Sequence, residues 1–428
     1  MTTYTNSEEL LARAVRAIPL GTQTFSKSKT QYPFGVSPYF IQSGSGSKVK
    51  DVDGNEYIDF VNALASVNLG YADPDVDRAV QEQMRNGVVF SLPHPIEIDV
   101  AEAIIDMVPC AEMVRFGKNG SDATTGAVRV ARAFTGRDHI AACGYHGWHD
   151  WYIGTTSRNL GVPEATRRLT HTFKYNDIDS LHAIFREHNG QVAAVIMEPM
   201  NAVHPAPGFL NEVKELAHKN GAIFIFDETI TGFRFANGGA QEFFNVTPDL
   251  ATFGKGLANG YPLAALAGRG DLMRVCEEIF YSFTFGGETL SLAASKATMA
   301  KIKGSPVIET MRKTGRALID GINGIIQTHG LDPMISVSGE GVWSFLNFKD
   351  VGPSSVWEIK TLFLQEIFKR GILSLGTHNI SYAHSMKDVE TVLGVYREVF
   401  PKIYEAAVSG SIRSHLKCEP LVPLFKVR

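Results

Sequence analysis

Hydrophobic and polar positions change their period several times along this chain. Residues 1–20 mix leucines and alanines with Glu8, Glu9, Arg13 and Arg16, the pattern of an amphipathic helix, and Thr5 and Glu8 are spaced as a capping box. From Gly21 to Lys50 glycine, serine, threonine and lysine are frequent, and the stretch reads as a meandering segment. Residues 49–60 read as two short strands around an Asp53-Gly54 turn. From about residue 73 helices alternate with short apolar strands. Ala123, Ala127, Val130, Ala131 and Phe134 recur at helical spacing and predict a helix over 122–134. Residues 192–197 and 222–226 are wholly apolar, as suits buried strands of a largely parallel sheet, with a crossover helix over 211–219 between them. Beyond about residue 305 the pattern predicts helices at 307–327, 354–370 and 387–405 and strand-like pieces at 335–348. The expected fold class is α/β. Residues 73–305 form the large domain, residues 306–428 a smaller α+β domain, and residues 1–72 an N-terminal segment belonging to the smaller one.

Composition changes this picture little. The chain has 428 residues, long enough for one large core and a second smaller one. Its net charge of −4 gives no electrostatic reason to expect nucleic acid or an anionic membrane as partner. No apolar run approaches the roughly 20 residues that span a bilayer, and the N-terminus does not have the form of a signal peptide. Cys110, Cys143, Cys276 and Cys418 are scattered and form no CxxC pair. Neither a disulfide framework nor a zinc site is expected, and the cytoplasm is the expected location.

The candidate chemistry sits at the ends of the predicted strands, where open α/β sheets bind ligands. Glu198 and Asp227 close two apolar runs, and Glu228 follows directly. A carboxylate at the end of a buried strand is costly unless a metal or a protonated ligand nitrogen partners it. Lys255 stands between Gly254 and Gly256 in apolar surroundings. Burial keeps such an amine partly deprotonated and nucleophilic, although most single lysines are merely solvated. A lysine together with a strand-end aspartate is what pyridoxal phosphate (PLP) requires: an amine to bond its aldehyde and a carboxylate to keep its pyridine nitrogen protonated. Asn119-Gly120-Ser121 precedes the 122–134 helix, so free N–H groups and a hydroxyl face an anion there; a plain helix cap is the competing reading. Tyr145 offers a face for a ring, with His146 beside it. His146 and His149 lack the helical patterning of a metal pair, and no metal site is expected. Thr284, next to Gly286-Gly287, is a further phosphate-contact candidate.

These segments together resemble the class III, fold type I, PLP-dependent aminotransferases, and within them most closely the glutamate-1-semialdehyde 2,1-aminomutases. The resemblance runs from about residue 20 to about residue 395. It is carried by residues 51–59, 112–116, 119–123, 133–138 and 145–147, and then by 198–199, 207–210 and 226–234. Residues 238–241, 247–250 and 254–255 complete it. It implies a large domain with a mostly parallel seven-stranded sheet plus a smaller α+β domain. It also implies that Lys255 and Asp227 are catalytic and that Gly120, Ser121, Tyr145, His146, Glu198, Asp227, Lys255 and Thr284 bind the cofactor. In this family the residue matching Thr284 reaches the phosphate of the neighbouring subunit, so the resemblance implies a homodimer with shared active sites.

Three places depart from the aminomutase pattern. Glu288-Thr289 stands where those enzymes have Asn-Pro. The Thr377–His384 stretch has no glutamate before Ala383-His384, and the Thr22–Lys27 loop differs. All three fall where substrate rather than cofactor is expected. The expected activity is therefore ping-pong transfer of an amino group from an amino donor to an aldehyde or ketone of a small metabolite. Intramolecular transfer by an aminomutase is the alternative. A PLP-dependent decarboxylase or racemase, and a non-catalytic PLP-binding protein, are further rivals.

Overall fold

The short apolar runs between Met113 and Gly268 assemble into a single sheet in the computed structural model, which describes residues 3–422. Its strands are β1 (Met113–Gly117), β2 (His139–Cys143), β3 (Thr170–Thr172), β4 (Val192–Met197), β5 (Ile223–Asp227), β6 (Leu250–Phe253) and β7 (Ala264–Gly268). They lie in the order β1-β7-β6-β5-β4-β2-β3. Neighbours from β6 to β3 are parallel, and β7 runs antiparallel to both strands beside it. The mostly parallel seven-stranded sheet of the expected fold class is present. Every residue of β4 and β5 is buried, which is why neither shows the alternation of a half-exposed strand.

Period-2 alternation divides each strand between two cores. On one face Ile140, Ala142, Ala194, Ile196 and Ile225 pack with Ala127, Val130 and Ala131 of α1 (Gly120–Thr135). On the other, Ala141, Val195, Met197, Phe224 and Phe226 meet α2 (Ile178–Glu187) and α3 (Phe209–Lys219) through Leu181, Phe185, Val213 and Leu216. Helix α1 begins two residues before and ends one residue after the span its apolar spacing predicts. Gly120 and Ser121 are thus its first turn rather than a preceding loop.

The described residues divide into two compact units: Pro74–Ile308, which holds this sheet, and residues 3–73 together with residues 309–422. In the second unit Ile41–Ser45, Lys48–Asp51 and Glu56–Asp59 form an antiparallel meander, joined in parallel by Ile372–Leu373. The hairpin turn at Gly54 (φ 86°) lies where the sequence puts it. Ile335–Glu340, Trp343–Phe348 and Thr377–Asn379 make a separate antiparallel sheet. Helices Val307–His329, Val356–Phe368 and Met386–Val408 match the predicted spans closely.

Two N-terminal expectations fail. The 21–50 stretch contains the strand Ile41–Ser45, which is mostly exposed and rich in serine and glycine, so neither period nor propensity marks it. The Thr5/Glu8 capping box does not form, because helix Thr5–Ala17 already starts at Thr5 with Tyr4 as its N-cap. Its free N–H groups are instead satisfied from far along the chain: Asp53 accepts from Asn6 N at 2.7 Å and from Ser7 N at 2.9 Å. Among the described residues no helix is long and apolar enough to cross a membrane.

Candidate active site

Because β7 is antiparallel to both β1 and β6, strands β1, β2, β4, β5 and β6 all end at the same edge of the sheet. The segments that follow them carry seven of the eight expected site residues: Gly120 and Ser121 after β1, Tyr145 and His146 after β2, Glu198 after β4, Asp227 closing β5, and Lys255 after β6. A Cβ added to Gly254 would lie 3.4 Å from Thr229 Cγ2 and 3.9 Å from Gly120 Cα, and one added to Gly120 would lie 3.0 Å from Thr229 Cγ2. The lysine loop, the start of α1 and the end of β5 therefore converge around Thr229. Lys255 adopts φ 44°, a left-handed conformation that is unfavourable for a residue with a Cβ and is concentrated at functional sites.

Asp227 is buried. Its Oδ2 accepts from His146 Nδ1 at 2.8 Å, and its Oδ1 accepts from Thr229 N at 3.1 Å, Thr229 Oγ1 at 2.5 Å and Thr252 Oγ1 at 3.1 Å. Burial pushes this carboxyl upward, but the bond and charge of His146 and the two Thr229 bonds outweigh it and hold the group below its usual value. Asp227 is thus an ionised carboxylate with capacity left on Oδ2, which takes one donor among the described residues. His146 donates from Nδ1, and its buried Nε2 meets no partner there.

Ser121 Oγ accepts from Trp148 N at 3.2 Å, leaving the hydroxyl proton to be donated. Gly147 makes that approach possible: at φ 101°, a Cβ there would lie 2.2 Å from Ser121 Oγ. Asp122 draws in the N–H groups of Lys118 (2.9 Å) and Asn119 (2.8 Å), and the first-turn N–H groups of α1 have no carbonyl within the helix. Glu198 Oε2 accepts from Tyr145 N at 3.0 Å and Asn201 Nδ2 at 3.0 Å, so it holds the backbone of the Tyr145 loop. The Tyr145 ring is exposed.

Some acidic and histidine positions have structural work instead. Glu228 turns away and accepts from Thr231 Oγ1, Ala240 N, Gln241 N and Gln241 Nε2, closing the turn before residue 240; its own burial pushes its carboxyl upward. His149 bonds Thr125 Oγ1 at 2.7 Å, so it does not pair with His146. Glu288-Thr289, read as a change in substrate contacts, serves the backbone. Glu288 caps helix Thr289–Gly304 through Leu290 N and Ser291 N and pairs with Lys118 at 2.9 Å, and Thr289 Oγ1 donates toward the carbonyls of Gly87 and Val88. Thr284 lies exposed in a turn. Thr229 and Thr252 were not singled out from the sequence; only their neighbourhood to Asp227 in space distinguishes them from other threonines.

The profile of the family described as "Aminotransferase class-III" matches residues 31–386. This chain belongs to that family. A 3-aminobutyryl-CoA aminotransferase of Cloacimonas acidaminovorans is 33% identical over 93% of this chain and 97% of its own. A glutamate-1-semialdehyde 2,1-aminomutase of Syntrophomonas wolfei is 37% identical over 90% of this chain and 96% of its own. Among solved structures, the PLP internal aldimine form of the FumI protein of Sphingopyxis sp. MTA144 superposes with a TM-score of 0.87 at 29% identity, covering 97% of this chain and 99% of that one. The family is one of enzymes and implies PLP as cofactor. The residues of this class III aminotransferase fit that group: a buried ionised carboxylate with acceptor capacity, an orphaned imidazole nitrogen beside it, and a hydroxyl at the start of α1 whose proton is free.

Proposed function

We propose that this class III aminotransferase moves an amino group from an amino donor, in the first place an amino acid, to an aldehyde or ketone of a small metabolite in a ping-pong cycle. The reading is carried by the convergence of the Asp227, Lys255 and Ser121 segments around Thr229. Bound PLP supplies an aldehyde that bonds amines and a ring that withdraws electrons. Lys255 Nζ is the amine that holds the cofactor and then moves the proton of the amino-bearing carbon. Asp227 Oδ2 stabilises a proton on the ring nitrogen, and His146 keeps Asp227 ionised and oriented. Gly120 and Ser121 hold the phosphate, Tyr145 covers the ring, and Glu198 fixes the loop that presents Tyr145.

We further propose a homodimer in which Thr284 completes the partner's phosphate site. In support, Thr284 is exposed and flanked by exposed Phe283 and Phe285, and Thr289 N bonds Val88 O at 2.9 Å, which brings exposed Phe90 and Leu92 into the same region. Four cysteines without a disulfide accord with a reducing cytoplasm.

Intermolecular transfer is favoured over the aminomutase reaction by the divergent Thr22–Lys27 and Thr377–His384 segments. Amino donors added singly to the purified enzyme should convert a band near ~420 nm to one near ~330 nm with at least one of them. If none does so and glutamate-1-semialdehyde alone turns over, the aminomutase reading replaces this one. Lys255→Ala should lose both the long-wavelength band and turnover; retained steady-state turnover refutes its role.

A further inference from the structure

A second cluster of chemically capable side chains lies at the opposite end of the same sheet. His139 opens β2, His171 sits in β3, and His188 is the C-cap of α2. Strand register and a tight turn bring these distant positions together. Ala141 pairs with His171 in the parallel β2–β3 ladder, and residues two apart share a face, so His139 and His171 project to the same side. The turn after α2 closes with Gln191 N on His188 O at 3.0 Å, and Gln191 O then receives His139 N at 3.1 Å. That sets His188 over the other two rings.

The rings pack face to face, with centroids 5.1 Å apart for His139–His171, 4.4 Å for His139–His188 and 3.9 Å for His171–His188. His139 Nδ1 and His171 Nε2 are 2.8 Å apart, and one nitrogen from each of the three rings lies within 4.8 Å of the other two. All three are half-buried, and Glu187 Oε1 is 3.9 Å from His188 Nε2. Burial, and then the neighbouring imidazoles, push the His139 ring down and the His171 ring down to about 4. No step of the proposed transamination uses them. His139 stands at the start of β2, about 13 Å from the strand's far end at Cys143 at ~3.3 Å per residue, and His146 lies beyond that far end.

We propose that His139, His171 and His188 bind one divalent transition-metal ion, with zinc as the ion this donor set favours. Three imidazoles with one carboxylate or water is a four-coordinate borderline set. With Zn–N bonds of about 2.0–2.1 Å, tetrahedral donors stand roughly 3.4 Å apart. The three nitrogens, now within 4.8 Å of one another on stacked rings, reach that arrangement by rotation of the rings about their side-chain bonds as the ion binds. Glu187 supplies the fourth oxygen directly or through a water. The ion ties edge strand β3, only three residues long, to β2 and to the end of α2, at a place where a short edge strand has pairing on one side only. Its role is to stabilise that edge, not to take part in the reaction.

The test uses tag-free holoenzyme treated with chelator and then dialysed to equilibrium against Zn2+, with bound metal counted by mass spectrometry. One ion per chain and a rise in melting temperature are expected. His188→Asn and His171→Asn should each weaken binding at least tenfold and abolish the rise, while the ~420 nm band and kcat stay as in the parent. If His171→Asn fails to fold, His188→Asn with Co2+ as probe decides: the visible bands of bound Co2+ should be present in the parent and lost in the variant. Equal metal content in parent and His188→Asn, or no bound ion in the parent, overturns the proposal.

Discussion

Gly147→Ala probes the packing behind the candidate phosphate site most directly. At φ 101° an alanine pays a backbone cost on the order of 1–2 kcal/mol. Its Cβ would also stand 2.2 Å from Ser121 Oγ, 2.9 Å from Ser121 Cβ and 3.1 Å from Ser121 Cα. Ordinary contact needs about 3.4 Å or more, so the hydroxyl has to move by about 1 Å. The backbone of Ser121 is close enough to be pushed as well. Trp148 N, now 3.2 Å from Ser121 Oγ, loses its acceptor, and a phosphate at the start of α1 loses a donor. A hydrogen bond to a charged group contributes about 1.5–3 kcal/mol, which predicts cofactor binding roughly 10- to 150-fold weaker. The assay is titration of the apoenzyme with PLP, followed by the rise of the ~420 nm band, in the parent, Gly147→Ala, Ser121→Ala and the double variant. Both single variants should lose affinity. The double variant should lose little more than the worse single one, since both remove the same donor. Parent-like affinity in Ser121→Ala would remove Ser121 from the phosphate site. Fully additive losses would show that Gly147 acts through something other than Ser121.

Three further outcomes are expected. Thr229→Val keeps the γ-methyl that faces Gly120 and Gly254 but removes the 2.5 Å bond to Asp227, so kcat/KM should fall about tenfold for a loss near 1.4 kcal/mol, with the melting temperature nearly unchanged; a parent-like pH–rate profile would count against Asp227 depending on that hydroxyl. His378 is buried between Ser344 Oγ and Tyr396 OH, and burial, then His384, pushes it down to about 3. The unfolded chain protonates this ring below its ordinary value of 6.5 while the folded one does not, so stability falls as pH drops from 6.5 toward 3, at up to ~1.4 kcal/mol per pH unit. Denaturant midpoints of His378→Asn should show a shallower slope across that window, and an identical slope would contradict the assignment. Sedimentation should find a dimer, and Thr284→Ala should weaken PLP binding without dissociating it; a monomer with full activity would end the shared-site proposal.

Much of this protein is determined locally and is readable without its structure. The runs 192–197 and 222–226 could only be buried strands or buried helix segments, and their length and flanks decided for strands. Lys255 between glycines, Asp227 after an apolar run and Gly120-Ser121 ahead of a helix carry their chemistry in their immediate neighbours, so the candidate site is legible as separate pieces. What the sequence cannot express is which pieces touch. Asp53 caps a helix 46 and 47 positions away because a hairpin turn delivers it there. Two acidic residues adjacent in sequence part company: Asp227 faces the strand ends, and Glu228 turns to the backbone at residue 240, because successive side chains leave a strand on opposite sides. Glu288 looks like a substrate contact in a linear comparison and is a helix cap in space. Thr229 gains its place only where three loops meet, and His139, His171 and His188 become neighbours only through strand order, register and one tight turn. Local period and chemistry are written along the chain; partnership across the chain is set by sheet order and packing, which only tertiary structure supplies.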